Sequence, residues 1–241
     1  MTKLEQILSD SNVPEELRQQ LLRFNALLVE RNAVMNLTAI TDEAAVARLH
    51  FLDSLALTDL LKTELSRDPH LRVIDIGSGA GFPGIPLAAA LPEVQFTLLD
   101  ATQKRVDFLS DVAEALQLQN VTPLCGRAEE LCAANENTTV ARETFSVATA
   151  RAVAKLSILA ELCLPFVRLG GAFLAMKSAD TDTELMEASE ALEILGGKLE
   201  AVHDYTISGT DVPRRIIVIR KNTETPAQYP RRFARIQKSP L

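Results

Sequence analysis

Residues 72–87 read RVIDIGSGAGFPGIPL, a run that passes from an apolar strand through an acid into a glycine-rich loop. Asp75 stands two positions before the first of four glycines, which occupy positions 77, 79, 81 and 84. A parallel strand that leads through glycines into a helix predicts a nucleotide site, because missing Cβ atoms admit a ligand and free helix amides point at it. The alternative is a turn whose glycines serve its own geometry. The density of glycine and the acid ahead of it favour the ligand site.

Composition and the spacing of cysteines and histidines predict a cytoplasmic protein with no metal. The 241 residues are 47% apolar, enough for one sizeable domain, alone or with a small accessory one, and no apolar run has the length of a membrane span. The first residues, MTKLEQILSD, lack the basic start and apolar centre of a signal peptide. The cysteines and histidines show no disulfide framework or metal-ligand spacing; they are Cys125, Cys132, Cys163, His50, His70 and His203.

Charge is distributed unevenly along the chain. The formal net charge is −7, yet the segment from Val212 onward holds eight basic residues against one acid, Glu224. A basic C-terminus on an acidic body indicates either a tail that contacts phosphate or a solvated tail that aids solubility. Composition alone does not separate the two.

The order of predicted elements indicates three sections. Residues 1–66 form a helical section, residues 67–221 a core of alternating strands and helices, and residues 222–241 a basic tail. Alternation predicts a doubly wound, mostly parallel sheet of the Rossmann-like kind, and the short loop between the last two strands makes the final one antiparallel. Strands are expected at 71–76, 94–100, 121–125, 145–150, 172–177, 198–207 and 214–220, and single helices at 42–65, 155–168 and 183–195.

His50 and Asp53 stand three residues apart on the second predicted helix, hence on one face. Such a pair could act as an acid and a base. More often it is a polar contact that anchors a helix to the core, and we favour that interpretation.

The loop alone leaves the nucleotide open. Asp100 closes the second strand nineteen positions after Gly81, where a carboxylate can accept hydrogen bonds from ribose hydroxyls. This fits NAD and S-adenosylmethionine equally, since Gly79-x-Gly81-x-x-Gly84 also satisfies the dinucleotide fingerprint. Three features favour S-adenosylmethionine: Asp75, which could meet its ammonium; the helical section before the loop; and the closing strand pair. An NAD(P)-dependent oxidoreductase and a methyltransferase for a small molecule or protein remain alternatives, as does a non-catalytic RNA-binding module.

The chain resembles the RsmG (GidB) family of bacterial methyltransferases, which modify N7 of a guanine in 16S ribosomal RNA. The resemblance spans nearly the whole chain, and the run G-F-P-G-I-P at 81–86 is its most specific motif. The chain lacks a tryptophan common before N-x-x-x-N-L-T, and Ala234-Arg235-Ile236 replaces a glycine–proline segment of the tail. The matching motifs are Asn36-Leu37-Thr38, Arg48-x-His50-x-x-Asp53-Ser54, residues 75–86, Leu98-Leu99-Asp100, Lys104-Arg105, Arg127-x-Glu129-Glu130, Ala150-Arg151-Ala152, Lys177, Arg214-Arg215 and residues 229–241.

The resemblance implies a class I methyltransferase sheet of seven strands and a set of cofactor contacts. Asp75, Gly77, Gly79 and Phe82 would line the methionine end of S-adenosylmethionine, and Asp100 would bind its ribose. Ala128 and Glu129 would meet the adenine edge. Arg151 would lie beside cofactor and target base as the catalytic residue, although it could instead pair with a structural carboxylate.

The resemblance also implies a ribosomal RNA partner, either 16S RNA or the small subunit, bound by a monomer. The sequence agrees with N7 chemistry, because it lacks the D/N-P-P-Y/F motif of enzymes that methylate exocyclic amines and the proline–cysteine setting of enzymes that attack pyrimidine C6. Phosphate contacts are expected from five basic residues: Lys177, Arg214, Arg215, Arg231 and Arg232.

Overall fold

The computed structural model describes residues 1–132, 142–151 and 154–241. Its strands are β1 (Arg72–Ile76), β2 (Gln95–Asp100), β3 (Val121–Cys125), β4 (Phe145–Arg151), β5 (Val167–Ser178), β6 (Gly197–Thr206) and β7 (Pro213–Lys221). Its α-helices are α1 (Lys3–Asp10), α2 (Glu15–Met35), α3 (Glu43–Ala45), α4 (Asp53–Leu55), α5 (Thr58–Arg67), α6 (Gly84–Ala90), α7 (Gln103–Ala115), α8 (Ala128–Leu131), α9 (Leu156–Cys163), α10 (Asp182–Glu187), α11 (Ser189–Ile194) and α12 (Phe233–Lys238). A π-helical segment (Val46–Leu52) joins α3 to α4, and a 3₁₀ turn (Leu164–Phe166) follows α9.

The strands form one seven-stranded sheet in the order β3-β2-β1-β4-β5-β7-β6. β1 to β5 are parallel, whereas β7 runs antiparallel to both of its neighbours. The predicted doubly wound sheet with an antiparallel closing strand is confirmed. Strand order reverses between β1 and β4, and the carboxyl edge beside such a switch point is where α/β sheets bind ligands.

Apolar side chains alternate between the two faces of the sheet, so each face has its own core. Along β1, Val73 belongs to one cluster and Ile74 to the other. The N-terminal helices share the first cluster with α6 and α7, and Phe24 of α2 and Phe51 of the π-helical segment are fully buried in it. The N-terminal section therefore contributes to the core that supports the carboxyl edge of the sheet.

The single helix expected at 42–65 is wrong. The chain instead passes through α3, the π-helical segment and α4, turns at residues 56–57 and continues as α5. In a π-helical turn the amide bonds five residues back, which displaces carbonyls from their α-helical partners. The Leu49 carbonyl accepts a hydrogen bond from Arg151 Nη1 at 3.0 Å. The spacing of apolar residues could not predict this hydrogen bond, because the acceptor is a backbone carbonyl and the donor lies 102 residues away.

Two further helix predictions are wrong, one in its length and the other in its continuity. The helix expected at 155–168 ends at Cys163, and β5 begins at Val167, because Pro165 interrupts the helix and Val167 pairs with Phe145 of β4. Arg168 is therefore a strand residue. The helix expected at 183–195 is divided into α10 and α11 at Ala188.

The C-terminal tail is docked on the body of the protein. The Arg231 backbone N–H and Nε both donate to Glu161 Oε1 at 2.8 Å, and its Nη2 donates to Oε2 at 2.6 Å. Glu161 is fully buried on α9, and Ile236 of α12 is buried as well. Arg142 adds a hydrogen bond to the Tyr229 carbonyl at 2.6 Å. The tail is thus anchored by charge and apolar contact, and is not a freely solvated extension.

Substituting Glu161→Gln should release the tail. The amide leaves the Arg231 guanidinium without a counter-charge in a buried setting, so we expect the free energy of unfolding to fall by about 3 kcal/mol. Urea unfolding measures the loss, and faster tryptic cleavage after Arg231 or Arg232 reports undocking. The control is Asp111→Asn, which breaks a half-exposed pair with Arg31 and should cost less than about 1 kcal/mol. Equal losses in the two variants, or unchanged cleavage, would contradict the docking role.

Candidate functional site

Two buried carboxylates at the carboxyl ends of β1 and β2 hold the glycine loop. Asp75 Oδ2 accepts from the Gly84 N–H at 3.1 Å, and the Asp75 carbonyl accepts from Ser78 Oγ at 3.0 Å. Asp100 Oδ2 accepts from the Gly79 N–H at 3.0 Å, while its Oδ1 accepts from Thr102 N–H at 2.8 Å. The expectation of free amides at the start of α6 is wrong at Gly84, whose N–H is capped by Asp75.

The glycines of the loop divide into two kinds. Gly77 and Gly79 have φ of +74° and +58°, and a Cβ on Gly77 would meet no atom within 4 Å. These two positions therefore border open space in a backbone conformation that favours glycine. A Cβ on Gly81 would lie 2.8 Å from Ile85 Cγ1, and one on Gly84 would lie 2.8 Å from Asp75 Oδ2. The second pair of glycines permits close packing, and the first pair lines a cradle.

Asp75 has one carboxylate oxygen without a hydrogen bond to the residues that the structure describes. Its side chain is fully buried, and Oδ1 has no hydrogen-bond partner among the residues that the structure describes. Burial raises the pKa of Asp75 to about 6, against the lowering effect of the hydrogen bond from the Gly84 N–H. A buried acceptor beside a glycine cradle suits a ligand ammonium, so these residues fit the amino-acid end of S-adenosylmethionine.

Phe82 connects the loop to the N-terminal helices. Its ring stacks on His50 with centroids 4.3 Å apart and planes 14° apart, and the Arg151 guanidinium lies 5.1 Å from its centroid. With only 5% of its surface exposed, Phe82 packs among these side chains and leaves little area for a ligand. Its predicted contact with the methionine end of the cofactor stays a prediction.

Arg151 lies at the end of β4 and is held by the N-terminal section. Besides its bond to the Leu49 carbonyl, Nη1 donates to Asp53 Oδ2 at 3.1 Å, and Nη2 donates to His50 Nδ1 at 3.2 Å. His50 and Asp53 thus anchor the helical section to the core, as the favoured interpretation predicts. They do so by each bonding to Arg151 and not by bonding to each other. Arg151 therefore pairs with a structural carboxylate and also lines the cavity described below, while its place beside cofactor and target base stays a prediction.

His50 is neutral under ordinary conditions. Burial, and then the Arg151 guanidinium, lower the pKa of His50 to about 4. Since Arg151 can only donate, His50 Nδ1 must be the acceptor, and Nε2–H then donates to Thr38 Oγ1 at 2.9 Å. This accounts for Thr38 of the N-L-T motif.

Ala128 and Glu129 begin α8 directly after β3. Ala128 is buried, and the Glu129 side chain is 8% exposed with its carboxylate 3.9 Å from Arg127 Nη1. They lie at the same carboxyl edge as Asp100, as predicted, because β2 and β3 are parallel neighbours with Asp100 opposite Cys125. Contact with an adenine edge stays a prediction.

A cavity of about 730 Å³ opens at the carboxyl ends of β4 and β5. Leu49, His50 and Arg151 form one side of it, and Lys177 lies opposite Arg215 of β7 in the adjoining pair of strands. Its charged lining is formally balanced, with four acids and four bases: Asp53, Asp180, Glu184, Glu187, Arg151, Lys155, Lys177 and Arg214. A balanced lining suits a neutral polar ligand better than a phosphate.

Four of the five residues expected to bind RNA are paired within the chain. Lys177 Nζ donates to Glu184 Oε1 and to the Ala154 carbonyl, each at 2.7 Å, and is 8% exposed. Arg215 bonds Asp204 at 2.6 Å and pairs with Asp182, and Arg231 holds Glu161. Arg214 Nε lies 3.5 Å from Asp53 Oδ1 with its side chain 30% exposed. Arg232 is exposed.

Sequence reasoning missed the partners that hold these cations. Tyr205 Oη donates to Asp53 Oδ1 at 2.9 Å across 152 residues, and Glu161 lies 70 residues before Arg231. No periodicity or motif links residues so far apart. Among these partners, the sequence singled out only Asp53, because it stands three residues after His50.

Neither a membrane span nor a metal cluster is found in the part of the chain that the structure describes. No helix there combines the length and apolarity needed to cross a bilayer. Over the same residues, no three His, Cys, Asp or Glu side chains are grouped as metal ligands would be. The expected absence of a metal stays a prediction.

Comparison with known proteins places the chain among ribosomal RNA methyltransferases. The GidB family model, described as rRNA small subunit methyltransferase G, matches residues 17–212. The ribosomal RNA small subunit methyltransferase G of Acetivibrio thermocellus is 40% identical over 230 residues, which cover 95% of this chain and 91% of that protein. Its counterpart in Leuconostoc citreum is 44% identical over 227 residues, covering 94% and 92%.

Solved structures resemble the fold. A predicted O-methyltransferase from Agrobacterium tumefaciens superposes with a TM-score of 0.52 at 18% identity, covering 73% of this chain and 81% of that one. A geranyl diphosphate methyltransferase in complex with GPP and sinefungin gives a TM-score of 0.50 at 12% identity, covering 69% and 78%. At such low identity these likenesses establish the class I methyltransferase fold alone.

Gly79→Val should abolish binding of S-adenosylhomocysteine. Its side chain would enter the cradle, and we expect affinity measured by calorimetry to fall at least about 100-fold, a loss of roughly 3 kcal/mol. The control is Gly170→Val, because Gly170 has φ +77° and open space around its Cβ but lies in β5. The Gly170→Val protein should have similar backbone strain but keep the wild-type affinity for S-adenosylhomocysteine. Equal affinities for the two variants would contradict the placement of the ligand at this loop.

Proposed function

The chain belongs to the GidB family of ribosomal RNA small subunit methyltransferases, and from this premise we propose that it methylates N7 of a guanine in 16S RNA. The observation that carries the proposal is the family match over residues 17–212, which includes the glycine loop, Arg151 and, except for Arg214, the lining of the cavity beside it. S-adenosylmethionine is the cofactor. Family membership does not favour an oxidoreductase, a small-molecule or protein methyltransferase, or a non-catalytic module.

The cofactor would lie along the carboxyl ends of β1, β2 and β3. Asp75 Oδ1 would accept from its ammonium, and Gly77 and Gly79 would let its chain approach the backbone. Asp100 already accepts from Gly79 and Thr102, yet each carboxylate oxygen can accept more than one hydrogen bond, so the ribose hydroxyls would complete its coordination. Ala128 N–H and the Glu129 carboxylate would meet the adenine. When bound, S-adenosylmethionine supplies a methyl group activated by its sulfonium.

The target base would occupy the cavity beside Arg151. Guanine is neutral and rich in donors and acceptors, which suits a lining with balanced charge. Three of the five N–H groups of Arg151 are bound to Leu49, Asp53 and His50. The other two have no acceptor among the described residues, and they would donate to guanine O6, the acceptor beside N7 in the major groove.

Methylation of guanine N7 requires no proton transfer by the protein in the methyl-transfer step. Guanine N7 carries a lone pair and no proton, so methyl transfer is a direct displacement that needs alignment and charge stabilisation. Arg151 would align the base through O6. His50 is not used as a base, since its Nδ1 already accepts from Arg151. The acids around the cavity would stabilise the positive charge that the methylated purine acquires.

Phosphate contacts would come first from Arg214 and Arg232. Arg214 is partly exposed at the cavity, and Arg232 is exposed beside the docked end of the tail. Lys177, Arg215 and Arg231 would need to exchange their carboxylate partners for phosphate. We place the enzyme in the cytoplasm with its ribosomal substrate and expect it to act as a monomer, bound to either 16S RNA or the small subunit.

A methyl-transfer assay tests the proposed function. The protein is incubated with labelled S-adenosylmethionine and 30S subunits that lack the modification, with naked 16S RNA and 23S RNA alongside. We expect label in 16S RNA, recovered by nucleoside mass spectrometry as 7-methylguanosine. Label in another nucleoside would overturn the assignment to N7, and label confined to 23S RNA, protein or metabolites would overturn the assignment to 16S RNA.

Cofactor affinity should depend on the ionisation of Asp75. In the free protein this carboxyl has a pKa of about 6, and a ligand ammonium favours its charged form. Binding therefore requires loss of a proton below pH 6, and affinity should weaken about tenfold for each pH unit below that value while staying constant above it. Calorimetry with S-adenosylhomocysteine from pH 5 to 8 measures this. Asp75→Asn should bind more weakly with a flat pH profile; a sloping profile in that variant would implicate another group.

A further inference from the structure

A second carboxylate, Asp53, lies where the N-terminal section meets three strands of the sheet. Its side chain is 4% exposed. Oδ2 accepts from Arg151 of β4 at 3.1 Å, and Oδ1 accepts from Tyr205 of β6 at 2.9 Å. Arg214 Nε of β7 lies 3.5 Å from Oδ1. One carboxylate thus contacts cationic or hydroxyl side chains from three strands of the sheet.

The backbone around Asp53 is shaped to receive the same guanidinium. Asp53 directly follows the π-helical segment. Its backbone N–H donates to the Arg48 carbonyl, five residues back, and also to the His50 carbonyl. The Leu49 carbonyl and His50 Nδ1 are thereby presented to Arg151 at 3.0 and 3.2 Å. π-Turns inside helices are frequent at functional sites. Asp53, Leu49 and His50 together determine both the position and the plane of the guanidinium.

The charge at this junction explains why an acid is needed. Arg151 and Arg214 are both largely removed from water, with side chains 19% and 30% exposed, and Asp53 is the carboxylate that contacts both. His50 adds no positive charge, since it is neutral. Replacing the carboxylate by an amide would leave two guanidinium groups close together with no shared counter-ion, and they would separate.

We propose that Asp53 is the positioning residue for Arg151: it holds the guanidinium so that its two uncommitted N–H donors face the target-base cavity. This inference rests on the proposed function. Asp53 also lies in the lining of the cavity, but its carboxylate oxygens are turned toward Arg151, Arg214 and Tyr205, so it acts on the base through Arg151. The N-terminal helical section would in this way complete the catalytic centre, in addition to covering the sheet.

The test is Asp53→Asn, which keeps the size of the side chain and removes its charge. We expect kcat for methyl transfer to 30S subunits to fall about 100-fold, the effect of misplacing a reacting partner by about 1 Å. The Kd for S-adenosylhomocysteine should stay within about threefold of wild type, because the side-chain partners of Asp53 are Arg151, Tyr205 and Arg214, whereas the loop amides are held by Asp75 and Asp100. Arg151→Lys should lower kcat similarly, and the double variant should lose little more than either single variant, since two residues that act as a unit are not additive.

The matched control is Glu64→Gln on α5. Glu64 is likewise a nearly buried acid of the N-terminal section that pairs with two arginines, Arg67 at 2.7 Å and Arg220 at 2.8 Å, and it lies outside the cavity lining. It should lower the melting temperature without changing kcat. If Asp53→Asn also lowers only the melting temperature, or if its kcat is unchanged, the positioning role is wrong.

A second measurement does not depend on activity. In spectra of protein labelled with ¹⁵N-arginine, the signals that disappear in Arg151→Lys belong to Arg151, and restricted rotation of its guanidinium should be visible in wild type and in Glu64→Gln but lost in Asp53→Asn. A rotating guanidinium in wild type, or a restricted one in Asp53→Asn, overturns the inference. An inactive wild type with this NMR pattern would overturn the proposed function and leave the positioning of Arg151 established.

Discussion

Two buried carboxylates at the ends of adjacent parallel strands determine the shape of the glycine loop. Asp75 accepts from Gly84 and Asp100 accepts from Gly79, so the loop is tied at its far end and near its middle to β1 and β2. The close packing of Gly81 and Gly84 lets α6 begin against the strands. What is left is a rigid concave strip of backbone at Gly77 and Gly79, with Asp75 Oδ1 as its buried acceptor. With the cofactor placed here as we propose, its binding would need little further ordering of the loop, and that favours affinity.

The glycine loop and the cavity at the ends of β4 and β5 are connected by a continuous series of side-chain contacts. Phe82 of the loop stacks on His50, His50 accepts from Arg151, and Arg151 lines the cavity. His50, in the middle of this series of contacts, belongs to the helical section before β1. That section therefore contributes to the candidate site as well as to the core. The arrangement agrees with a displacement reaction, in which the protein must hold two ligands in line and move no proton.

Several basic residues of the C-terminal region form ion pairs within the protein, although their number suggests a surface that binds phosphate. Arg231 anchors the tail on Glu161, Arg215 joins β7 to Asp204 of β6, and Arg220 holds Glu64 and Glu200. Ion pairs of this kind stabilise the fold and leave fewer cations for phosphate. An acidic body with few available cations would bind RNA weakly unless the RNA also fits the cavity, which favours a substrate recognised by shape.

The sequence by itself determined the sheet, the antiparallel closing strand, the loop at Asp75–Gly84 and the family, because strand alternation and glycine spacing are local patterns. It also placed Asp100, Ala128 and Arg151 at the carboxyl edge, since each ends a strand or directly follows one. The tertiary structure decided the π-helical segment, the early end of α9, the docking of Arg231 and the contacts of Asp53 with Arg151 and Tyr205. Those features depend on hydrogen bonds and ion pairs between residues 70 to 152 positions apart, or on a strand that competes with a helix for the same residues. Such pairings leave no periodic trace in the chain, and only the folded sheet brings their partners together.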